Sequence, residues 1–434
     1  MRQGGPEATT RRLACDALVR VEDGAYSHVL LPTMLRRSKL QARDRAQVTD
    51  LVYGTLRAQR RLDDLLTRVV DRPLKRLDPP VRAALRLGAL QLVQGVPPHA
   101  AVSETVDAVP RRARGYVNAT LRALTRLGPD WPEPDDEAVA LSYPDWLVER
   151  LHADLGAGDA HGVLVAGNAP AALTLRLNPR REGSADIAAE LAAAGATVTD
   201  GELVDGSLVV RGAGDPGALP VVSCGRATPQ DQGSQAVVRY LAPSGRDRVL
   251  DVAAAPGGKT TAIAELLDDA GLVVAADVSA GRLGMVGVAA KRLGLANIAS
   301  VVADGRHPPT RSASFDRVLV DAPCSGLGVL RRRAEARWRI DPDAIDGLAD
   351  VQRSMVRAAA EAVRPGGVLV YAVCTLTVAE TRDVAAAVAA ELPGWSVLEP
   401  PGPPWRPWGL GAILLPQVAD TDGMFAFGLR RDDG

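Results

Sequence analysis

Asp251-Val252-Ala253-Ala254-Ala255-Pro256-Gly257-Gly258-Lys259-Thr260 is the stretch on which the fold turns. It follows an apolar run expected to be a strand (Arg248–Val252) and opens an expected helix (Thr260–Leu267). Small residues and paired glycines there let a ligand approach the backbone beside the positive end of a helix. The same rhythm continues downstream. Strands are expected at Val273–Asp277, Ile298–Val302, Arg317–Val320 and Val368–Val373, with helices at Ala280–Leu293 and Ala349–Val363. A final edge strand or hairpin is expected at Met424–Leu429, after a Pro/Trp-rich loop at Pro400–Trp408. Strand–helix alternation predicts a doubly wound, largely parallel α/β sheet of Rossmann-like type, with ligands at the carboxyl ends of its strands.

Upstream of this domain the pattern changes twice. From Thr10 to Leu127 apolar residues recur three and four apart, as in Val48, Leu51 and Val52, which predicts an all-α region of short helices. Between them lies a small α+β region. It has a short helix at Pro144–Leu155, a strand at Ala171–Leu177 and a helix at Ala185–Ala194, then strands near Ala196–Leu203 and Ser207–Arg211 and a loop and strand to Val222. The expected domains are 1–130 (helical), 131–143 (linker), 144–235 (small α+β) and 236–434 (α/β). With 434 residues, two or three cores are needed in any case.

The net charge of −1 hides an asymmetry. Residues 1–130 hold 23 Lys+Arg against 13 Asp+Glu, a net of +10, and the remainder carries −11. A basic module joined to an acidic one points to a polyanion partner, although an Arg-rich solvated helical surface would look the same. Only four lysines occur, at 39, 75, 259 and 291. The four cysteines (Cys15, Cys224, Cys324, Cys374) are far apart and show no metal-ligand spacing, so neither a zinc site nor a disulfide framework is expected. The start, MRQGGPEATTRRL, lacks the apolar stretch of a signal peptide, and no segment suits a bilayer span. A cytoplasmic protein with reduced thiols and no membrane association is expected.

The glycine loop is not a phosphate loop. Lys259-Thr260 would suit one, but Ala253 stands where its first glycine belongs, and the dinucleotide fingerprint is absent as well. Acids instead follow successive strands: Asp277, Asp304 and Asp321. An acid after the second strand suits a ribose diol, and Asp304 is placed to read an adenine amino group. This constellation fits S-adenosylmethionine better than ATP, and no metal is called for.

Asp321-Ala322-Pro323-Cys324-Ser325-Gly326 ends the fourth expected strand, and Tyr371-Ala372-Val373-Cys374-Thr375 ends the fifth. In a doubly wound sheet those ends adjoin, so both thiols can face one pocket. A lone buried cysteine is usually a small hydrophobe. Two after strand ends, one in a Pro-Cys-Ser-Gly turn, point to chemistry. Cytosine C5 is a weak nucleophile, and a thiolate adding to C6 makes it enamine-like and able to attack a methylsulfonium. The C5 proton must then leave and the thiolate be expelled, which a second group can assist. Asp321 is placed to hydrogen-bond the N3/N4 edge of the base. Residue chemistry alone does not rank the two thiols.

Together these motifs resemble the Sun/Fmu family of bacterial 16S ribosomal RNA cytosine-C5 methyltransferases, within the Nop2/Sun superfamily, over nearly the whole chain. The resemblance implies an all-α NusB-like N-terminal domain, a small α+β RNA-binding domain and a C-terminal Rossmann-like class I methyltransferase domain. It implies that Cys374 attacks C6 and Cys324 helps release the product, whereas DNA cytosine methyltransferases attack with the Pro-Cys cysteine. Implied cofactor contacts are Ala253, Ala254, Ala255, Pro256, Gly257, Gly258, Lys259, Asp277, Arg282, Asp304 and Asp321. Ala253 replaces the family's usual Cys, and Arg333-Ala334 replaces its His-Pro. Pro97–Val106 and Gly115–Arg122 match the NusB-like domain, Tyr143–Leu147 begins the small domain, and Gln230–Gln235 leads into the catalytic one. The implied partner is small-subunit ribosomal RNA, and no obligate protein partner is evident in the sequence. Arg331, Arg332, Arg333, Arg337 and Arg339 with Trp338 are expected to form a phosphate-and-base surface.

Four other functions compete. They are C5 methylation of transfer or another RNA, a non-catalytic RNA-binding or antitermination protein, amino-group methylation, and ribose 2′-O-methylation. The third favours Asp/Asn-Pro-Pro-aromatic where this chain has Asp-Ala-Pro-Cys, and the fourth favours lysine-centred sites.

Overall fold

The computed structural model describes residues 9–181, 184–308 and 310–433. Residues 1–8, which include most of the stretch read for a signal peptide, lie outside them. The chain forms two units, Met1–Glu149 with Arg332–Arg339, and Arg150–Arg331 with Ile340–Gly434.

The first unit is helical, with helices at Thr10–Glu22, Ser27–Arg37, Ala42–Arg57, Gln59–Thr67, Pro79–Val93, Pro98–Ala108 and Arg111–Leu124. Thr9 caps the first of these by accepting from the Arg12 N–H at 3.3 Å. Pro79 and Pro98 sit in first turns, where a missing N–H costs nothing. Pro79–Val93 is buried nearly all round, through Ala84, Leu85, Leu87 and Ala89 among others. Arg111–Leu124 buries only one stripe, Val117, Thr120, Leu121 and Leu124, and so lies at the surface of the bundle.

In the second unit, β1 (Leu173–Leu177), β2 (Thr197–Asp200), β3 (Ser207–Arg211) and β4 (Ala227–Pro229) form an antiparallel sheet in the order β2-β3-β1-β4. The helix Ser184–Ala193 closes its core by placing Ile187 and Leu191 against Leu175, Leu208 and Val210. The strand expected up to Val222 is not there. Pro216 and Pro220 each start a helical turn, at Pro216–Ala218 and Pro220–Ser223, and neither can donate to a ladder. The fourth strand comes later, at β4.

The large sheet contains β5 (Arg248–Asp251), β6 (Leu272–Asp277), β7 (Ile298–Val302), β8 (Phe315–Asp321), β9 (Val363–Val373), β10 (Trp395–Val397), β11 (Arg406–Trp408), β12 (Gly411–Leu414) and β13 (Met424–Arg431). Its order is β11-β12-β13-β9-β8-β5-β6-β7, with β10 also on β13. β7, β6, β5, β8 and β9 are mutually parallel, and the apolar runs of β5, β8 and β9 are buried on both faces, as at Val318, Leu319 and Val320, whereas β7 at the sheet's margin is partly exposed. Of the edge strand or hairpin expected at the other side, the antiparallel β12–β13 pair gives the hairpin. β13 is not an edge: it pairs β9 and β12, and Met424–Leu429 is buried throughout. The supposed loop Pro400–Trp408 supplies β11, and β11 and β12 carry the sheet past β13. Among the described residues no helix is long and apolar enough to cross a membrane.

Candidate active site

Sheet order brings the singled-out residues to one edge. Passing from β7 through β6, β5 and β8 to β9, the carboxyl ends carry Asp304, Asp277, the loop Ala253–Lys259, Asp321 with Cys324, and Cys374. The loop after β5 leaves the sheet tightly: Val252 N–H bonds to Leu319 O at 3.0 Å and Ala254 N–H to Ala276 O at 2.8 Å. The Ala255–Pro256 peptide is cis. Gly257 has φ +105° and a Cβ there would lie 3.1 Å from Val286 Cα, so both backbone angle and space demand glycine. Gly258 then starts the helix Gly258–Leu266.

The acids around this cradle are ordered. Asp277 is buried and accepts from Ala255 N–H at 3.1 Å and Ser279 N–H at 2.9 Å, so it ties the loop to the next strand. Arg282 donates to Ala255 O at 2.7 Å. Asp304 is gripped by Arg306, with Nη2 at 2.6 Å, and those hydrogen bonds hold its carboxyl down at about 2. Asp251 is fully buried and accepts from Thr260 Oγ1 at 2.7 Å, and burial pushes its pKa up to about 7.

Lys259 reaches from the cradle to the thiol side, its Nζ 2.7 Å from Asp321 Oδ2. Burial pulls the ammonium down, but Asp321 and the charge on Cys374 outweigh it, and its pKa ends above the ordinary value. Cys324 and Cys374, fifty residues apart, place their sulfurs 3.4 Å from each other. Both are partly exposed, unlike Cys15, whose burial in the helical unit drives its thiol to about 12. The hydrogen bond with Cys374, followed by burial, pushes the Cys324 thiol well above its ordinary range. The Cys374 carbonyl is fixed by Gly328 N–H at 3.0 Å, and a Cβ on Gly328 would collide with Gly423 O.

The basic loop after the Pro-Cys motif is not the surface expected of it. Arg331 is buried, donating to Asp420 Oδ1 at 2.6 Å and Thr421 O at 3.2 Å. Arg337 is fully buried in the helical unit, 3.9 Å above the Tyr143 ring centroid, with Nη1 donating to Ser142 O at 3.1 Å. Burial lowers its pKa to about 10. Arg339 donates to the carbonyls of Val21, Gly24 and Ala25. Glu335 is buried beside them and accepts from Ser27 N–H at 2.9 Å and Ser27 Oγ at 2.8 Å. Of the five arginines and Trp338, only Arg333 and Arg339 remain exposed. A guanidinium stacked on a ring or saturated by carbonyls is packing material, and residue type alone could not reveal that.

Sequence reasoning missed Glu380, a fully buried carboxylate behind both thiols. The available signal was an acid in the hydroxyl-rich run Cys374-Thr375-Leu376-Thr377-Val378-Ala379-Glu380-Thr381.

Three family models match along the chain: the NusB family over residues 8–126, the RsmF/B-like methyltransferase ferredoxin-like domain over 143–215, and the 16S rRNA methyltransferase RsmB/F over 238–430. A probable ribosomal RNA small subunit methyltransferase B of Bacillus subtilis is 33% identical, covering 98% of this chain and 99% of its own. A putative methyltransferase of Mycobacterium tuberculosis is 37% identical over 98% and 97%, and the ribosomal RNA small subunit methyltransferase B of Sodalis glossinidius 34% over 96% of each. Among solved structures, that of PH0851 superposes with a TM-score of 0.84 at 25% identity, covering 99% of this chain and 100% of that one. NSun6 from Pyrococcus horikoshii with SFG gives 0.61 at 23%, over 67% and 99%, and shows the shared fold. The chain belongs to the ribosomal RNA small subunit methyltransferase B family, with a NusB domain, a ferredoxin-like domain and an RsmB/F methyltransferase domain.

Proposed function

We propose that this protein methylates C5 of a cytosine in 16S ribosomal RNA, using S-adenosylmethionine and a covalent thiolate adduct at C6. The observation that carries this reading is the sulfur pair, Cys324 and Cys374 at 3.4 Å, beside a glycine cradle joined to it by the Lys259–Asp321 ion pair. Membership of a family whose relatives bear small-subunit rRNA names supports the substrate. In the helical unit, Arg36, Arg37, Lys39, Arg43 and Arg45 are exposed in adjoining segments and suit a phosphate backbone. We divide the chain accordingly into 1–130, a linker 131–143, 144–235 and 236–434.

The cradle fits the donor. Gly258, where a Cβ would meet only Gln230 Nε2 at 3.7 Å, leaves its backbone open, buried Asp277 suits a ribose diol, and partly exposed Asp304 can accept from an adenine amino group. Bound S-adenosylmethionine supplies an electrophilic methyl group. Ala253–Lys259 and Arg282 shape its pocket. Cys374, as thiolate beside the Lys259 ammonium, adds to C6, and the electron pair displaced onto C5 makes that carbon the nucleophile. Asp321 orients the base through its N3/N4 edge. After methylation the C5 proton passes to a base from solvent, the electrons of that C–H bond restore the 5,6 double bond, and Cys374 departs as thiolate. Cys324, held as a protonated thiol against Cys374, assists this release.

Cys374→Ala should abolish turnover, and Cys324→Ala should accumulate an SDS-resistant protein–RNA adduct. Near-normal methylation by Cys374→Ala, or loss of activity without adduct in Cys324→Ala, would reverse or remove these roles. Bisulfite mapping in a deletion strain tests the substrate; loss of 5-methylcytosine at a transfer RNA site alone would sink the ribosomal assignment.

A further inference from the structure

We propose that Glu380 is the positioning residue that sets the distance between the two thiols, by clamping the residue that follows each cysteine. This rests on the reading of Cys324 and Cys374 as the working pair. Ser325 follows Cys324, and Thr375 follows Cys374. Glu380 Oε1 accepts from Ser325 N–H at 2.8 Å, and its Oε2 lies 2.5 Å from Ser325 Oγ and 3.2 Å from Thr375 Oγ1. The two hydroxyls also touch each other at 2.7 Å.

The clamp has its own supports. Thr377 Oγ1 donates to Oε2 at 2.9 Å. Gln352 Nε2 lies 3.1 Å from Oε1 and 2.9 Å from Pro323 O, so it braces the Pro-Cys turn from the other side. The Tyr371 hydroxyl lies 2.6 Å from Glu380 O and 3.0 Å from Gln352 Oε1. Glu380, Gln352, Thr375 and Thr377 are all fully buried. A buried carboxylate is costly unless its lone pairs are used, and here hydroxyls and amides use them. Those donors come from both thiol loops, so moving either loop leaves part of the charge unsolvated. Glu380 acts on the placement of the sulfurs through Ser325 and Thr375, and its charge also acts directly on the Cys324 thiol, raising it.

The test reads thiol geometry apart from methylation. Diamide oxidises neighbouring thiols, joining Cys324 Sγ to Cys374 Sγ while both thiol hydrogens pass to the diazene. Closure is followed in the full-length protein by mass spectrometry of the linked peptides. Glu380→Gln keeps the size but turns an amide NH₂ toward donors. It should close at least about tenfold more slowly, and its kcat should fall about 100-fold with the donor KM unchanged, as misplaced groups do. A folded Glu380→Gln that closes at the wild-type rate overturns the proposal, as does a wild-type pair that resists closure. Should Glu380→Gln melt early or lose donor binding, the double variant Ser325→Ala/Thr375→Val is read instead: slow closure supports the clamp and wild-type closure overturns it. Closure that slows in an enzyme making no 5-methylcytosine leaves the clamp standing and removes the C5 reading. The reverse outcome removes only the clamp.

Discussion

The loop after β5 and the two loops after β8 and β9 share one edge of one sheet, yet they are built by opposite means. The first is shaped by what its residues lack. Gly257 occupies a positive φ against Val286, and main-chain hydrogen bonds to β6 and β8 do the rest. The thiol loops are shaped by side chains, with Glu380 gathering hydroxyls and amides from both. A cradle that must admit a ligand against its backbone needs empty space. A pair of reacting sulfurs needs a fixed separation, which takes a dense polar network. Lys259 links the two, through Asp321.

If that contrast holds, lesions on the thiol side should lower kcat and lesions in the cradle should weaken donor binding. Beyond complete loss in Cys374→Ala, the largest effect is expected from Gly328→Ala. Its Cβ would meet the Gly423 carbonyl, and relief of that clash must shift the Cys374 backbone it holds. We expect kcat lower by about 100-fold with donor Kd near wild type, read by steady-state kinetics and calorimetry. A donor-binding defect with normal kcat would break the contrast.

Next comes Gly257→Ala. Positive φ costs an L-residue there about 1–2 kcal/mol and its Cβ crowds Val286, so a cradle that shifts to escape both should bind the donor about tenfold more weakly, measured by calorimetry. The smallest effect concerns stability. Because burial raises the Asp251 carboxyl from 3.8 to about 7, the folded protein holds a proton there that the unfolded chain releases. Its contribution is complete below the unfolded value of 3.8 and is lost as pH rises toward about 7. Within that window stability should fall by up to about 1.4 kcal/mol for each pH step of one. Asp251→Asn should flatten that part of the stability profile in urea melts run across the same window. An unchanged slope would mean that the carboxyl is ionised in the folded protein.

Legibility in the sequence followed the range of the interactions. The small-residue turn after β5 could be read because its determinants are neighbours in the chain: an apolar strand, paired glycines and a helix start. β5 through β9 were placed for the same reason, each being a short apolar run between turns. For β13 the sequence left edge strand and hairpin both open, because its partner β12 lies in a stretch rich in proline, tryptophan and glycine, and local composition hid it. Arg337 was misread as a phosphate contact because a guanidinium over Tyr143 looks, in sequence, like any other basic residue in a basic loop.

Chain order alone determined that two cysteines, three acids and a glycine turn would each follow a strand, since strand periodicity is a local property of the polypeptide. Tertiary structure decided which of them meet. The 3.4 Å between sulfurs fifty residues apart, the Glu380 clamp behind them and the withdrawal of Arg331 and Arg337 from solvent all depend on partners brought together by burial. A buried polar group must find its hydrogen bonds wherever the fold supplies them, and for Glu380 two of the donors, Ser325 and Gln352, are distant in sequence.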